Sequence, residues 1–262
     1  MAPTVPDILA KIVTQKDSEL GAVRKNIDAL YEQAKANLNQ RRDFRAALTA
    51  DAPAIISEIK KASPSKGLLA ADFNPSATAQ SYARGGAAAL SVLTDEKFFQ
   101  GSLADLATAR AAVKLPVLRK DFTLDEAHII EAAANRADAI LLIVAILTPK
   151  RLRELRECAV QWNLAALVEV HDGEELSQAI DCGADIIGVN NRNLHTFEVT
   201  LETSKRLAER IPSNAVRVAE SGIHSAGDVR ELARFGYQAF LVGEHLMKSG
   251  NPEQALRDLR QC

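Results

Sequence analysis

The sequence predicts an α/β fold built from repeated strand–helix units, and three observations support this prediction. Eight apolar runs rich in β-branched residues recur along the chain, each starting about 20 to 35 residues after the one before. The runs are apolar at successive positions, as in strands buried on both faces of a parallel sheet. Signals that start and stop helices lie between the runs. Eight such units in about 200 residues indicate a TIM (β/α)8 barrel, whereas an open doubly wound sheet is disfavoured because no GxGxxG follows the first run.

The part of the chain before the first run is predicted to be a helical extension of the barrel. Residues 1–48 contain two segments with apolar side chains at helical spacing, and this length is too short for a second domain. We therefore expect residues 1–262 to form a single domain. The apolar side chains are Ile8, Ile12 and Leu20 in the first helix, and Leu30, Ala34 and Leu38 in the second.

The eight runs define the predicted strands, and short motifs define the helices between them. Asn74 followed by Pro75 is typical of a helix start, and Thr123 with Glu126 resembles a capping box. Glycine, or asparagine in the case of Asn135, follows several helices and predicts a left-handed C-cap before the next strand. The predicted strands are Ala54–Lys60, Ala87–Thr94, Leu115–Phe122, Asp138–Ile146, Ala165–His171, Ile186–Asn193, Val216–Ile223 and Ala239–Leu246.

The composition excludes several functional classes. Apolar residues make up 47% and charged residues 25% of the chain, and the net charge is −2. We therefore expect a folded protein with no general attraction for nucleic acid or anionic membranes. The longest apolar run, Ala139–Leu147, is far shorter than the ~18 residues that suggest a membrane span. Asp7 and Lys11 interrupt the first apolar stretch, so no signal peptide is expected.

The cysteines and histidines predict neither disulfide bonds nor a metal site. Cys158, Cys182 and Cys262 are odd in number and widely spaced, and no CxxC motif occurs. A reducing, cytoplasmic compartment is the simplest interpretation. The histidines are scattered without a metal-binding pair, and we expect structural roles for His171 and His245.

Polar side chains cluster at the carboxyl ends of the predicted strands, where barrel enzymes carry their functional residues. Glu58 and Lys60 are two residues apart in an apolar strand, so both point to the same side, into the barrel mouth. Glu169 and Glu220 have similar apolar neighbours. Burying so many charges is costly unless they pair or bind a charged ligand, and we favour a ligand over structural pairing alone. The polar residues at the strand ends are Glu58, Lys60, Lys120, Glu169, Asn190, Arg192 and Glu220.

Two further groups of residues near the barrel mouth point to a phosphorylated, partly apolar ligand. Ser221 and Gly222 follow the seventh predicted strand, and Gly243 lies in the eighth unit. Loops at these two places in a barrel frequently bind phosphate through backbone N–H groups. Phe99 and Phe122 lie near the same mouth. Position alone leaves open whether these rings pack in the core or form an aromatic wall for a ligand.

Six segments, in the same order along the chain, resemble the signature motifs of the indole-3-glycerol phosphate synthase family. The likeness also includes Ile8–Lys16, which is similar to the family's N-terminal helix, and it covers essentially the whole chain. One motif alone is moderately specific, but the ordered set is highly specific. The segments are Ile56–Gly67 (ISEIKKASPSKG), Leu93–Gly101 (LTDEKFFQG), Leu118–Phe122 (LRKDF), Leu167–His171 (LVEVH), Ile187–Leu194 (IGVNNRNL) and Ala219–Ile223 (AESGI).

The resemblance implies a decarboxylating carbon–carbon lyase of tryptophan biosynthesis. Such an enzyme converts 1-(2-carboxyphenylamino)-1-deoxyribulose 5-phosphate into indole-3-glycerol phosphate, with loss of CO2 and water. The resemblance implies that Lys120 is the general acid that protonates the substrate carbonyl during ring closure. It also implies that Lys60 contacts the substrate carboxylate, and that Glu169 exchanges a proton during dehydration with support from Glu58.

The remaining implied roles concern substrate binding. By resemblance, Asn190, Arg192 and Glu220 orient the polar chain of the substrate and the catalytic lysines. Phe99 and Phe122 flank the anthranilate ring. Glu244 is expected to contribute only its backbone N–H, because its carboxylate would repel a phosphate. The implied phosphate site consists of Ser63, Ser221, Gly222, Gly243 and Glu244.

The implied chemistry requires no cofactor, because loss of CO2 restores the aromaticity of the ring after it closes. The expected partner is a small phosphorylated substrate. The chain is expected to be a cytoplasmic monomer that associates weakly with other enzymes of the tryptophan pathway.

Two alternatives stay open. Another phosphate-binding barrel, such as phosphoribosylanthranilate isomerase, needs one acid and one base, which does not account for two lysines and three carboxylates at the mouth. A non-catalytic barrel that binds a phosphorylated metabolite is disfavoured because both Lys120 and Glu169 are present.

Overall fold

Eight parallel strands close into a barrel, which confirms the predicted TIM barrel. The computed structural model describes residues 7–64, 67–69 and 72–261. The first six residues of the predicted extension, Ser65 and Lys66 of the first motif, and Cys262 lie outside the described residues. Around the barrel the strands follow one another in chain order, and the last strand pairs with the first.

In chain order the strands are β1 (Ala54–Ile59), β2 (Ala62–Ser63), β3 (Gly67–Leu68), β4 (Ala89–Leu93), β5 (Val117–Lys120), β6 (Ala139–Ile143), β7 (Ala165–Val170), β8 (Ile186–Asn190), β9 (Val216–Glu220) and β10 (Ala239–Val242). Strands β2 and β3 form a small antiparallel hairpin directly after β1. The other eight form the barrel.

Helices alternate with the barrel strands, and further helices precede β1. In the described residues the α-helices are α1 (Asp7–Lys25), α2 (Ile27–Ala36), α3 (Phe44–Ala50), α4 (Pro75–Gly85), α5 (Glu96–Phe99), α6 (Leu103–Ala112), α7 (Glu126–Ala134), α8 (Pro149–Gln161), α9 (Gly173–Asp181), α10 (Glu202–Ala208), α11 (Ala226–Ala233), α12 (Glu244–Lys248) and α13 (Pro252–Leu259). Single 3₁₀ turns cover Leu38–Gln40 and Val144–Ile146.

The strands are shorter at their carboxyl ends than the apolar runs predicted. The last run was predicted to be a strand as far as Leu246, but β10 stops at Val242 and α12 begins at Glu244. The fourth run passes from β6 into the 3₁₀ turn Val144–Ile146. An unbroken apolar run does not distinguish a buried strand from a buried helical turn, which explains both differences.

One predicted helix start is confirmed and one is wrong. Asn74 Oδ1 accepts the backbone N–H of Ala77 at 3.0 Å and caps α4. At α7 the cap is Asp125, whose carboxylate accepts the N–H of Ala127 at 3.0 Å, and not Thr123. An aspartate at this position accepts a hydrogen bond from an N–H group that has no partner within the helix. Its negative charge also interacts favourably with the positive end of the helix dipole.

The predicted left-handed helix ends are confirmed at three glycines and are wrong at the asparagine. Gly86, Gly183 and Gly236 have φ values of 91°, 78° and 85°. After α7 the left-handed residue is Arg136, with φ of 63°, while Asn135 keeps φ of −86°. The left-handed residue that ends α7 therefore comes one position later than predicted.

The extension before β1 contains a third helix that the sequence pattern did not reveal. In α3, Phe44 and Leu48 are fully buried and pack with Ala54 and Ile56 of β1. This helix closes the amino-terminal end of the barrel. Only the barrel end explains why so short a segment is helical, because tertiary packing provides most of the stability of a helix of this length.

The barrel interior and the surrounding helix layer form two separate cores. Ile56 and Leu118 point into the barrel, whereas the neighbouring Ile55 and Ile59 pack against the helices. This alternation is the two-residue period of a strand. Leu9 and Ile12 of α1 belong to the interior core, and both line the cavity at the carboxyl ends of the strands.

No helix in the described part of the chain is long and apolar enough to cross a bilayer.

Candidate active site

A cavity of about 470 Å³ opens at the carboxyl ends of the barrel strands, and it brings together every predicted site residue. Its size is within the range usual for sites that bind small molecules. The predicted residues that line it are Glu58, Lys60, Ser63, Phe99, Lys120, Phe122, Glu169, Asn190, Arg192, Glu220, Ser221, Gly222, Gly243 and Glu244.

The strand period places the polar side chains inside the barrel. Lys120 lies two residues after the interior Leu118 on β5, and Glu169 lies two residues after the interior Leu167 on β7. The same rule applies to Glu220 on β9, two residues after Val218. The charged layer therefore sits directly on top of the apolar layers of the barrel.

The Lys120 cluster, consisting of Lys120, Glu169 and Glu220, occupies the centre of this layer. Lys120 Nζ lies 3.0 Å from Glu169 Oε2 and 3.3 Å from Glu220 Oε2. Asn190 Nδ2 donates to the other oxygen of Glu169 at 3.1 Å. Glu220 Oε1 is buried and has no hydrogen-bond partner among the described residues. The two carboxylates thus share one ammonium but have different surroundings.

Those surroundings shift the pKa values in opposite directions. Burial lowers the pKa of Lys120, but the carboxylates of Glu169 and Glu220 raise it more, so the lysine stays an ammonium. Burial raises the pKa of Glu169, but Lys120, the neighbouring His171 and the hydrogen bond from Asn190 lower it well below its usual range. Burial dominates at Glu220 and raises its pKa to about 7. The cluster therefore contains a cation, an anion and a carboxyl group that exchanges its proton near neutral pH.

A second charged pair, between Lys60 and Glu58, lies on the β1 side of the cavity. Lys60 Nζ is 2.5 Å from Glu58 Oε1, and both side chains are largely buried. Gly243 makes this position possible, because a Cβ atom there would lie 2.3 Å from Glu58 Oε1. The absence of a side chain at Gly243 is thus explained by the carboxylate as well as by the predicted phosphate.

Gly188 provides a matching space for Glu220, and the sequence analysis did not identify it. A Cβ atom at Gly188 would lie 2.1 Å from Glu220 Oε1. Gly188 pairs with Glu169 on one side and Val218 on the other in the barrel. A glycine inside an otherwise apolar strand is the sequence signal of such a close approach.

The two predicted aromatic residues face each other at the mouth. The ring centroids of Phe99 and Phe122 are 6.2 Å apart, with an angle of 39° between the planes. Phe122 is 9% exposed, whereas Phe99 is only partly buried. The rings therefore both pack on the interior core and border the cavity, so the two interpretations that the sequence left open are compatible.

The opposite end of the cavity has an unusual backbone. Ser221 and Gly222 are consecutive left-handed residues, with φ of 65° and 80°. Strained backbone of this kind at a serine is uncommon and clusters at functional sites. Ser63, at the end of β2, and the first turn of α12 complete this end. The Glu244 carboxylate pairs with Lys248 at 2.7 Å.

Arg192 lies in the cavity lining and contacts the loop after β8. Its guanidinium donates to the carbonyl of Phe197 at 3.4 Å, and its backbone N–H donates to Asn190 Oδ1 at 3.0 Å. The backbone of Arg192 forms an isolated antiparallel β-bridge with Val199 across the loop. Arg192 also holds the loop after β8, and Asn190 contacts Glu169.

The loop after β8 and helix α1 supply lining residues that the sequence reasoning missed. These residues are apolar, and they lie either in the otherwise polar loop after β8 or in helix α1, which is not part of the barrel. A possible signal was the apolar content of the loop between Asn190 and α10. The missed apolar residues are Leu9, Leu194, Phe197 and Val199.

The two histidines singled out in the sequence lie in different places. His245 lines the cavity beside His224, and their ring centroids are 6.2 Å apart. His171 lies next to Glu169 but is not among the described residues that line the cavity. Within residues 7–64, 67–69 and 72–261, no group of three or more His, Cys, Asp or Glu side chains is arranged to hold a metal ion.

A parallel barrel with lysines and carboxylates at the carboxyl ends of its strands defines a barrel enzyme that acts on a small molecule through proton transfer. Known proteins narrow this class. The model of the family described as indole-3-glycerol phosphate synthase matches residues 9–259. The chain belongs to this family.

Curated relatives agree with the family match. The chain is similar to an indole-3-glycerol phosphate synthase of Koribacter versatilis, with 53% identity over 91% of this chain and 93% of the relative. It is 49% identical to that of Albidiferax ferrireducens, over 97% and 98% of the two chains. A solved mutant tryptophan synthase alpha-subunit from Pyrococcus furiosus has the same fold, with a TM-score of 0.61 at 14% identity, covering 79% of this chain and 98% of that one.

Proposed function

We propose that the chain converts 1-(2-carboxyphenylamino)-1-deoxyribulose 5-phosphate into indole-3-glycerol phosphate, CO2 and water, as a decarboxylating lyase of tryptophan biosynthesis. The family membership supports this reaction. The observation that carries it is the Lys120 cluster, in which a buried ammonium is held between two carboxylates at the centre of the cavity.

Ring closure needs an acid at the substrate carbonyl. The ring carbon that bears the carboxylate attacks the carbonyl carbon, and negative charge develops on the carbonyl oxygen. Lys120 is the proposed acid, because its raised pKa keeps it protonated and its position at the centre of the cavity aims the ammonium at the substrate. The transferred proton leaves the oxygen as a hydroxyl.

Decarboxylation follows without an external electron acceptor. When the carboxylate leaves as CO2, the electron pair of the broken bond returns to the ring and restores its aromaticity. Lys60 is the proposed partner of the substrate carboxylate before it leaves. The pairing of Lys60 with Glu58 at 2.5 Å supports an ammonium held in place for that contact.

Dehydration then removes the hydroxyl and one carbon-bound proton, which forms the indole double bond. Glu169 is the proposed acceptor of that proton, with Glu58 in support. Its lowered pKa keeps it a carboxylate when the substrate binds. Glu220 and Asn190 are the proposed orienting residues, because they contact Lys120 and Glu169 directly.

The two ends of the cavity suit the two ends of the substrate. We propose that Phe99 and Phe122 flank the anthranilate ring. The phosphate is proposed to bind the backbone N–H groups after β9 and β10, with Ser63 and Ser221. Gly222 has no room for a side chain, because a Cβ atom there would lie 2.7 Å from Val199 Cγ1 and the φ value is left-handed.

The proposal includes the setting in which the protein acts. We propose a cytoplasmic monomer that takes a small phosphorylated substrate, needs no cofactor and associates weakly with other enzymes of the tryptophan pathway. The free thiols of Cys158 and Cys182 are in keeping with a reducing compartment.

One assay tests the reaction. Purified protein, without added metal or cofactor, is incubated with the carboxyphenylamino-deoxyribulose phosphate, and the product is followed by indole fluorescence. We expect fluorescence to rise together with release of one CO2 per product. Binding of the substrate without turnover would instead support the non-catalytic alternative.

A further inference from the structure

His171 is a buried group beside the active site to which the mechanism above gives no task. It is the first residue after β7, two positions after Glu169, so both side chains leave the strand on the same face. Only 14% of its side chain is exposed. It reaches Glu169 without being among the described residues that line the cavity.

The imidazole lies between two carboxylates. His171 Nδ1 is 2.9 Å from Glu175 Oε2, and the same oxygen accepts the backbone N–H of His171 at 2.7 Å. His171 Nε2 is 3.4 Å from Glu169 Oε1, which is within ion-pair distance but does not meet the geometry of a hydrogen bond. A neutral imidazole carries one proton, so only an imidazolium presents N–H groups to both carboxylates.

The charges around this ring favour the imidazolium. Glu169 of β7 and Glu175 of α9 face its two nitrogens. Asp172 caps the first turn of α9, and Arg210 donates to the carbonyl of Gly173 at the exposed start of that helix. Burial lowers the pKa of His171, but the neighbouring carboxylates of Glu169 and Glu175 raise it more, to about 10.

A comparison with Glu220 shows how the neighbours of Glu169 affect its pKa. Both carboxylates are buried and contact the Lys120 ammonium at 3.0 to 3.3 Å. Glu169 Oε1 has Asn190 and His171 as neighbours, whereas Glu220 Oε1 has no hydrogen-bond partner among the described residues. The pKa of Glu169 is lowered and that of Glu220 is raised to about 7.

We propose that His171 is a positioning residue: clamped by Glu175, its imidazolium keeps Glu169 ionised and turned so that Oε2 faces Lys120. The proton of the cluster then resides on Glu220 and not on Glu169. This inference rests on the proposed function, because it assigns Glu169 the task of accepting a proton from the substrate.

Kinetic measurements with two substitutions test the proposal. His171→Leu removes the charge and both N–H groups, whereas His171→Gln keeps a neutral donor near the Nε2 position. Loss of a neighbouring cation shifts a carboxyl pKa by about 1 to 3 units. We expect the acidic limb of the kcat–pH profile to move up by about one pH unit in His171→Leu and by less in His171→Gln. KM should change less than about 3-fold, because His171 is outside the cavity lining.

Two further variants separate positioning from a merely structural role. Glu175→Gln weakens the clamp and should shift the acidic limb in the same direction. His195→Gln changes an exposed histidine outside the cavity lining and should leave the profile unchanged. A uniform loss of kcat at every pH, or an unchanged profile in His171→Leu and His171→Gln, would overturn the proposal.

A titration of the unliganded protein tests the inference independently of turnover. The ring Cε1–H signals of the histidines are followed by NMR, and the His171 signal is assigned from His171→Gln. We expect His171 to remain an imidazolium at pH 8. Titration of His171 below pH 7 would refute the proposal whatever the enzyme does. Failure of the wild-type assay, with His171 still charged at pH 8, would refute only the reaction.

Discussion

Two buried lysines sit on opposite sides of the end of β5, in almost the same immediate geometry. Lys120 Nζ lies 3.0 and 3.3 Å from the carboxylates of Glu169 and Glu220. Lys16 Nζ lies 3.0 Å from both Asp95 and Asp121. Asp121 directly follows Lys120 in the chain, so the strand period sends one cluster into the barrel and the other under helix α1.

The carboxylates of the two clusters differ in their other partners. Asp95 Oδ1 accepts the N–H groups of Phe98 and Phe99 at 2.7 and 3.2 Å. Asp121 accepts the N–H of Phe122 at 2.8 Å as well as the hydroxyl of Thr94. Burial raises the pKa of Asp121, but Arg119 and Lys16 lower it far below its usual range. These three backbone contacts fix the segments that carry both phenylalanines of the aromatic wall.

The same arrangement, a lysine between two carboxylates, thus has a structural role around Lys16 and a proposed catalytic role around Lys120. Around Lys16 both carboxylates accept backbone N–H groups in addition to the ion pairs with Lys16, and these contacts hold α1 against the barrel. Asp95 Oδ2 also lacks a hydrogen-bond donor but lies 3.0 Å from the Lys16 ammonium, whereas Glu220 Oε1, close to Gly188, has neither a hydrogen-bond donor nor an ion-pair partner among the described residues. Buried polar groups that lack a partner are costly and call for an explanation in function. The Lys120 cluster, in which Glu220 Oε1 has no partner of either kind among the described residues, is thus the one suited to proton transfer.

Replacing Lys120 should produce the largest effect and should act on catalysis. Lys120→Met removes the proposed acid, so kcat should fall by about 10²- to 10⁴-fold. Affinity for the product should change much less, because the carbonyl is gone and the phosphate binds elsewhere. Turnover and product titration, with circular dichroism to verify folding, measure this. Lys60→Met should raise KM as well, and Lys114→Met, at an exposed position before β5, is the control.

A nearly normal kcat with a raised KM in Lys120→Met would make Lys120 a binding residue. The acid would then have to be Lys60.

Replacing Lys16 should instead act on stability. Lys16→Met leaves two buried aspartates without their shared cation, which costs about 3 kcal/mol in comparable cases. Denaturant unfolding should show this loss while kcat stays within about 3-fold, a change of less than 1 kcal/mol. Lys11→Met, at an exposed position on the same helix, should unfold like the wild type. If Lys16→Met lost catalysis on the scale of Lys120→Met, the division between the two clusters would be wrong.

The smallest effect should be a pH dependence of opposite sign in the two clusters. The folded-state pKa of Glu220 is raised from 4.5 to about 7, so its favourable contribution is present below pH 4.5 and is lost as the pH rises through 7. Relative to Glu220→Gln, the wild type should therefore lose roughly 2 kcal/mol of unfolding free energy between pH 5 and pH 8.

Asp121 should behave in the opposite way. Its pKa is lowered, so its contribution is present above its ordinary pKa of 3.8 and is lost as the pH falls. Asp121→Asn should be less stable than the wild type at pH 7, and the gap should narrow below pH 4. Parallel pH profiles of unfolding for the two variants would show that the clusters do not differ as described.

The sequence by itself determined the barrel and most of the site. Apolar runs at regular spacing fixed the number and order of the strands, because a strand buried on both faces admits few polar residues. The period of two then decided that Glu58, Lys120, Glu169 and Glu220 share the interior. These are local properties of the chain, and a single sequence displays them.

Tertiary structure decided whatever depends on a neighbour from another part of the chain. Helix α3 is stabilised by the burial of Phe44 and Leu48 against the end of the barrel. In the eighth apolar run, the strand gives way to helix α12 at Glu244. The sequence presented Glu169 and Glu220 as equivalent carboxylates in apolar strands. Only the fold gives one of them His171 and Asn190, and places the other above Gly188 without a second donor. Proton affinity in a buried site is set by such contacts, which sequence spacing does not encode.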